Sequence, residues 1–188
     1  MHFSRDLVFR CGVRDCRASD LRQLEWYGMY WSDRELIRRA VRRAARGNVR
    51  MLVADADGHP VGQIWIDLIA KAREGVAVLW ALRIHPMFGG KGLGTQLIIA
   101  AEGVARGAGF GWTEVDVERG NGMAQKFYRR LGYARHGQGG NSTTSWHRPD
   151  GKRARIRFEY EVFRKPLVQR RMRAWAGVPI DSAWSARI

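Results

Sequence analysis

Residues 85–101, HPMFGGKGLGTQLIIAA, set glycines at positions 89, 90, 92 and 94 around Lys91 and run directly into an apolar pattern. Glycines let the backbone come close to a ligand, and a helix beginning around Gly92 to Leu93 turns unpaired N–H groups toward an anion. Near a surface the helix dipole supplies only ~0.3–1 kcal/mol, whereas each hydrogen bond to a charged group supplies ~1.5–3 kcal/mol. Several converging amides, more than the dipole, would therefore hold a pyrophosphate. Two nucleotide loops are excluded by the residues themselves. Lys91 is followed by Gly92 where a P-loop needs Ser or Thr, and position 97 is Leu where a dinucleotide fingerprint needs glycine. The alternative to an anion cradle is a glycine-rich turn with no ligand.

The elements that must position this loop follow from the spacing of apolar residues. Residues 7–13 read as a first strand, and Ser19 with Asp20 as the cap of a short helix reaching Trp26. In WSDRELIRRAVRRAARG, Ser32 and Glu35 have capping-box spacing, Leu36, Ile37, Ala40, Val41 and Ala44 form a stripe, and Gly47 ends the helix. Three strands follow, joined by turns at Asp57-Gly58 and Glu74-Gly75. The third alternates weakly, which predicts a strand buried on both faces near the middle of a sheet. From Gly92 to Ala108 the period becomes helical, with Leu93, Leu97, Ile98, Ala101, Val104 and Ala105 on one face.

The pattern then repeats as strand 112–118, helix 121–132, a short strand near Tyr133 and a last strand over 154–163. HGQGGNSTTSWHRPDGKR, between the last two, reads as a long surface loop. Residues 1–165 are expected to form one domain. Residues 166–188 form a basic tail, either helical and docked or contacting a second copy in a homodimer.

Composition bounds the function. No apolar stretch approaches the ~18 residues of a membrane span, and Arg5, Asp6 and Arg10 interrupt the start where a secretory signal would be apolar. Cys11 and Cys16 fit neither a metal site nor a disulfide framework and read as reduced thiols, so a cytoplasmic protein without a membrane partner is expected. The 33 Lys plus Arg against 18 Asp plus Glu give a formal charge of +15, which keeps nucleic acid as a candidate partner without specifying it.

One family unites these features. The run Leu82-Arg83-Ile84-His85-Pro86, then GGKGLG, an amphipathic helix, a strand, and Asn121…Ala124…Phe127-Tyr128-Arg129-Arg130-Leu131-Gly132-Tyr133 resembles the GNAT superfamily of acyl-CoA N-acyltransferases, sharply over 78–133 and topologically over roughly 5–165. The resemblance implies an α/β (α+β) fold. Its mixed, strongly twisted sheet has six to seven strands and flanking helices, splays between the fourth and fifth strands, and takes acetyl-CoA in the gap. It further implies that the main chain of Leu82, Arg83 and Ile84 pairs with the pantetheine arm. Amides of Gly90, Lys91, Gly92, Leu93, Gly94 and Thr95 would cradle the pyrophosphate, and Asn121 would contact the cofactor arm. The family loop usually carries Gln or Arg where this chain has Gly89, so one side-chain contact is lost; Lys91 could replace part of it.

The implied reaction is transfer of an acetyl group to a primary amine by direct attack, with no metal. Tyr128 then corresponds to the general acid, a phenol of pKa ~10 that donates as thiolate charge develops. A main-chain N–H near Ile84 would polarise the carbonyl. Asp116, five residues before Asn121, stands where some relatives carry a glutamate base, and Glu118 shares its strand face. Asp67, His85 and Glu118 are reserves for that role. Trp26, Tyr27, Tyr30 and Trp31 are candidates for one wall of the acceptor site, with Asn141, Ser142, Thr143, Thr144 and Trp146 of the 137–153 loop opposite. The alternative is a catalytically inactive protein of the same fold whose basic surface binds RNA. The class of amine stays open, with cationic small amines mildly disfavoured by the overall charge.

Overall fold

The computed structural model describes residues 8–26, 29, 34–147 and 153–167. Its strands are β1 (Cys11–Asp15), β2 (Val49–Ala56), β3 (His59–Lys71), β4 (Val76–Ile84), β5 (Trp112–Glu118), β6 (Ala134–Arg135), β7 (Gly140–His147) and β8 (Arg153–Pro166). Three helices accompany them, α1 (Arg34–Ala44), α2 (Leu93–Gly107) and α3 (Gly122–Arg130). One sheet runs in the order β1-β2-β3-β4-β5-β8-β6, with β7 also paired to β8. All pairs are antiparallel except β4 with β5. The expected mixed sheet is present, with eight strands in place of six or seven.

The extra strand comes from the stretch expected to be a loop. Asn141 to Trp146 form β7, in register with β8 from Gly140↔Tyr160 to His147↔Arg153. Threonine and tryptophan favour a pleated surface, and pairing with a long neighbour outweighs the polar composition. Two smaller corrections lie near the start. The first strand falls at 11–15, and residues 18–25 make two short 3₁₀ turns where one helix was expected. There Asp20 accepts from the Arg17 amide at 2.6 Å and binds both terminal nitrogens of Arg14, so its side chain ties a turn to β1. Ser32, Tyr27, Tyr30, Trp31, the 148–152 connection and residues 168–188 lie outside the described residues. β8 continues past residue 165, and Leu167, only 4% exposed, still belongs to the core.

The sheet is covered on both faces. On one, α2 lays Leu93, Leu97, Ile98, Ala101 and Ala105 over β2, β3 and β4, and Tyr128 and Phe163 complete the cluster. Gly62 makes this approach possible: a Cβ there would stand 2.6 Å from Ile84 Cδ1 and 3.0 Å from Ala54 Cβ. On the other face, Ile37 and Ala40 of α1 pack with Leu24, Val49, Met51, Val53 and Trp65. Burying each large apolar side chain contributes roughly 1.5–3 kcal/mol, so the two clusters hold the centre of the sheet rigid.

Two irregularities shape that centre. Parallel pairing of β4 with β5 covers Val76↔Trp112 to Leu79↔Val115 and then stops, so residues 80–84 turn an edge unpaired by β5 into an opening. Between Gln63↔Arg83 and Trp65↔Trp80, β4 carries one residue more than β3, and Ala81 takes a left-handed φ of 54°. This bulge sets Trp80 and Ala81 toward the α1 face while Leu82 and Ile84 pack on the α2 face.

Candidate active site

Where β4 and β5 part, a cleft of about 230 Å³ opens, lined by Val78 to Leu82 of β4, Asp116 to Glu118 of β5, and Asn121, Ala124 and Tyr128 at and in α3. Each wall is built locally. β5 alternates, so Val115 and Val117 enter the core while Asp116 and Glu118 stand on the opposite face, exposed at the cleft. Asn121 caps α3, its Oδ1 accepting from the Ala124 amide at 3.0 Å. That bond fixes the helix start and leaves the side-chain Nδ2 of Asn121 available to donate to a ligand, while its backbone N–H donates to Glu118 O at 2.9 Å.

Tyr128 is 9% exposed, packed edge-on against Phe127 and Tyr133 at 5.2 and 5.5 Å. Among the described residues its hydroxyl has no hydrogen-bond partner, although it is not sealed off, and the cleft is where the side chain reaches the surface. Burial pushes its pKa up to about 12, so the phenol keeps its proton at neutral pH. Across the cleft, the Asp116 carboxyl is raised above the ordinary range by desolvation first and by the Glu114 charge second, against a smaller opposing effect of Lys71.

Glu114 itself is buried and bound by Lys71 and by Arg164, whose Nε and terminal nitrogen lie 2.8 and 2.6 Å from Oε2. Burial alone would raise its pKa, but these partners hold it below the ordinary value. The triad joins β3, β5 and β8 just beneath the splay.

The glycine loop lies beyond the end of β4, where a Cβ on Gly94 would stand 3.5 Å from Phe127 and 3.8 Å from Ile84. After β4 a 3₁₀ turn, Pro86–Phe88, reverses the chain, and Gly89 donates its amide to Pro86 O at 3.1 Å. Gly90 and Gly92 take φ of 72° and 82°, and open space lies where a side chain would stand on either. Among the described residues, the amides of Gly90 through Thr95 find no acceptor, and the α2 ladder begins with Gln96 N to Gly92 O at 3.1 Å. A run of free amides at a helix start, with Lys91 exposed beside it, fits an anion, and the residues present fit the pyrophosphate of a CoA ester. Gly89 lies outside the run, as its bonded amide requires.

The cleft thus brings Leu82, Asp116, Asn121 and Tyr128 together, with Arg83 and Ile84 on the same strand and the amides of Gly90 to Thr95 beyond its end. Of the reserve residues, Glu118 lies at the cleft, whereas Asp67 and His85 are otherwise employed. Asp67 binds Arg43 at 2.6 Å and accepts from the Ile69 and Ala70 amides at 3.0 Å; those bonds outweigh burial and keep its pKa low. His85 Nδ1 accepts from the Met87 amide at 3.3 Å, and its ring packs against Trp26 and Phe88. Trp26 is buried, donating to Pro60 O at 2.8 Å, so it braces the sheet rather than lining the cleft.

Two contributions escaped the sequence reading. Val78 and Trp80 line the cleft from β4 beside a bulge at Ala81 that left no local signal, and the Lys71–Glu114–Arg164 triad left none either. Among the described residues, no cluster of His, Cys, Asp or Glu is placed to hold a metal ion, and no helix is long and apolar enough to cross a membrane.

Comparison with known proteins agrees with this geometry. The sequence matches no curated protein at a significant level. Among solved structures, the PaiA N-acetyltransferase of Thermoplasma acidophilum, crystallised with coenzyme A, superposes with a TM-score of 0.60 at 20% identity over 84% of this chain and 99% of that one. The ribosomal-protein-S18-alanine N-acetyltransferase of Escherichia coli gives 0.61 at 15% identity over 84% and 94%. An N-acetyltransferase of Staphylococcus aureus gives 0.64 at 12% over 84% and 99%. At such identities these likenesses establish the fold. Residues 17–133 match the model of the acetyltransferase (GNAT) family, and with that span covering more than half of the sequence, the chain belongs to the GNAT family of acetyltransferases.

Proposed function

We propose that the protein transfers the acetyl group of acetyl-CoA to a primary amine by direct attack in the cleft between β4 and β5. GNAT enzymes use acetyl-CoA. One observation carries the finer reading: a buried, unpartnered Tyr128 and an exposed Asp116 face the same opening, at the end of which lie the free amides of the glycine loop. Amides from Gly90 to Thr95 hold the pyrophosphate, Lys91 adds a mobile charge, and the β4 edge at Leu82, Arg83 and Ile84 pairs with the pantetheine arm. Asn121 contacts that arm from the other wall.

The amine nitrogen attacks the thioester carbon, and a main-chain N–H near Ile84 supports the oxygen as charge gathers on it. The C–N bond forms and the C–S bond breaks. Asp116 takes a proton from the nitrogen, directly or through one water because Asp is short, and Tyr128 gives a proton to the departing sulfur. Burial that raises the phenol pKa also raises that of a thiolate formed beside it, so the transfer is better matched than the free values suggest. Products are the N-acetylated amine and CoA with its thiol restored.

Calorimetry with acetyl-CoA, followed by a screen of amines reading CoA thiol release, tests this reading. Binding followed by release that depends on the amine supports it; an absence of binding by both acetyl-CoA and CoA overturns it. The exposed arginines of α1 favour no second function, because charge alone names no partner.

A further inference from the structure

In a chain with 33 Lys plus Arg against 18 Asp plus Glu, almost every carboxylate should find a cation. Among the described residues that expectation holds along β1, α1, β3, α2 and β8, and for buried Glu114. Asp57, on the β2–β3 turn, instead accepts the Arg10 amide. Asp116 and Glu118 alone remain, side by side on one face of β5, both at the cleft and neither in an ion pair.

The acid pair does not stand alone. Among the described residues Tyr128, nine-tenths buried, has no hydrogen-bond partner and reaches the same cleft from the α3 side, a second sign that a ligand belongs there. Trp80 lines the same cleft from β4. Two carboxylates free of ion pairs, at an opening that also holds an aromatic side chain, make a subsite for positive charge.

Resting on the acetyl-transfer reading, we propose that the acceptor is a small linear diamine or polyamine. Asp116 serves the amine that attacks, and Glu118 binds a second amine that stays protonated. Successive residues on one strand face are about 7 Å apart, a separation matched by two amines joined by a chain of about four methylenes. The pair overrides locally the general repulsion that a chain of charge +15 exerts on cations.

The test compares initial rates for α,ω-diamines of increasing length with those for alkylamines of the same length, at fixed acetyl-CoA. The expected kcat/KM for the best diamine exceeds that of its matched monoamine by about tenfold or more, the effect of one charge-assisted hydrogen bond. Glu118→Gln, a surface change whose folding is checked by acetyl-CoA binding, is expected to bring that ratio close to one. A ratio near one in the unaltered protein overturns the proposal, as does a ratio that survives Glu118→Gln. A peptide with lysine after its first residue that outperforms every diamine also overturns it. Acetyl-CoA binding without transfer to any amine removes the acetyl-transfer reading and this one together, whereas transfer with a flat diamine series removes this one alone.

Discussion

The two ends of the cleft are built from different materials. At the α2 end the contacts are backbone amides, Gly90 to Thr95, placed by left-handed glycines and a helix start within a few consecutive residues. At the β5 end they are side chains: Asp116, Glu118, Tyr128 and Trp80, drawn from three elements. A main-chain site would tolerate drift in side-chain identity at a position such as 89; a side-chain site would not. The cofactor end should therefore answer to changes of backbone shape and the acceptor end to loss of single functional groups.

The largest expected effect lies at the side-chain end. Tyr128→Phe keeps the ring packing and removes only the hydroxyl, so turnover should fall about 10³-fold while acetyl-CoA affinity by calorimetry changes little. Unchanged turnover would remove its acid role. Asp116→Asn should lower kcat/KM about 10²-fold and alter the pH profile. The acceptor amine and Asp116 must both be deprotonated, so log(kcat/KM) should steepen as pH falls below the raised pKa of Asp116. In Asp116→Asn only the slope set by the amine should remain. A profile identical in both proteins would contradict the base assignment.

At the backbone end, Gly92→Val forces a β-branched residue into a left-handed conformation and should weaken acetyl-CoA binding about 10- to 100-fold, one or two charge-assisted hydrogen bonds. Lys91→Ala, on an exposed mobile cation, should weaken it only about two- to fivefold, and less at high salt. The reverse order of these two variants would mean that charge, more than amide geometry, holds the cofactor.

Beneath both ends, Glu114→Gln should destabilise the fold by about 2–3 kcal/mol in denaturant titrations, because it removes the buried carboxylate that two partly exposed cations, Lys71 and Arg164, neutralise. The carboxyl pKa values of Asp20, Asp67 and Glu114 are held below their ordinary 3.8 to 4.5. Their stabilisation is present above that range and lost as pH falls through the folded values, so unfolding should set in on the acid side.

The same contrast explains what could be read from the sequence. The glycine loop was legible because its determinants are adjacent: glycines, one lysine and an apolar repeat in seventeen residues. Strand β5 and helix α3 were legible through period two and period 3.6, which placed Asp116, Asn121 and Tyr128 in order along the chain. β7 was not, since its serines, threonines and single glycine form a strand only because β8 pairs with them. The bulge at Ala81 was hidden too, because one extra residue in a strand shows only against its neighbour. The isolation of Asp116 and Glu118 could not be seen at all: composition says how many cations exist, and only the fold says which carboxylates they reach.

Mass spectrometry of an amine panel rich in diamines, incubated with acetyl-CoA and either the unaltered protein or Tyr128→Phe, tests the central claim most directly. N-acetylated product that accumulates with the unaltered protein, and about a thousandfold more slowly with the variant, is the predicted result. Acetyl-CoA that binds yet yields no acetylated amine, or equal rates from the two proteins, would contradict it.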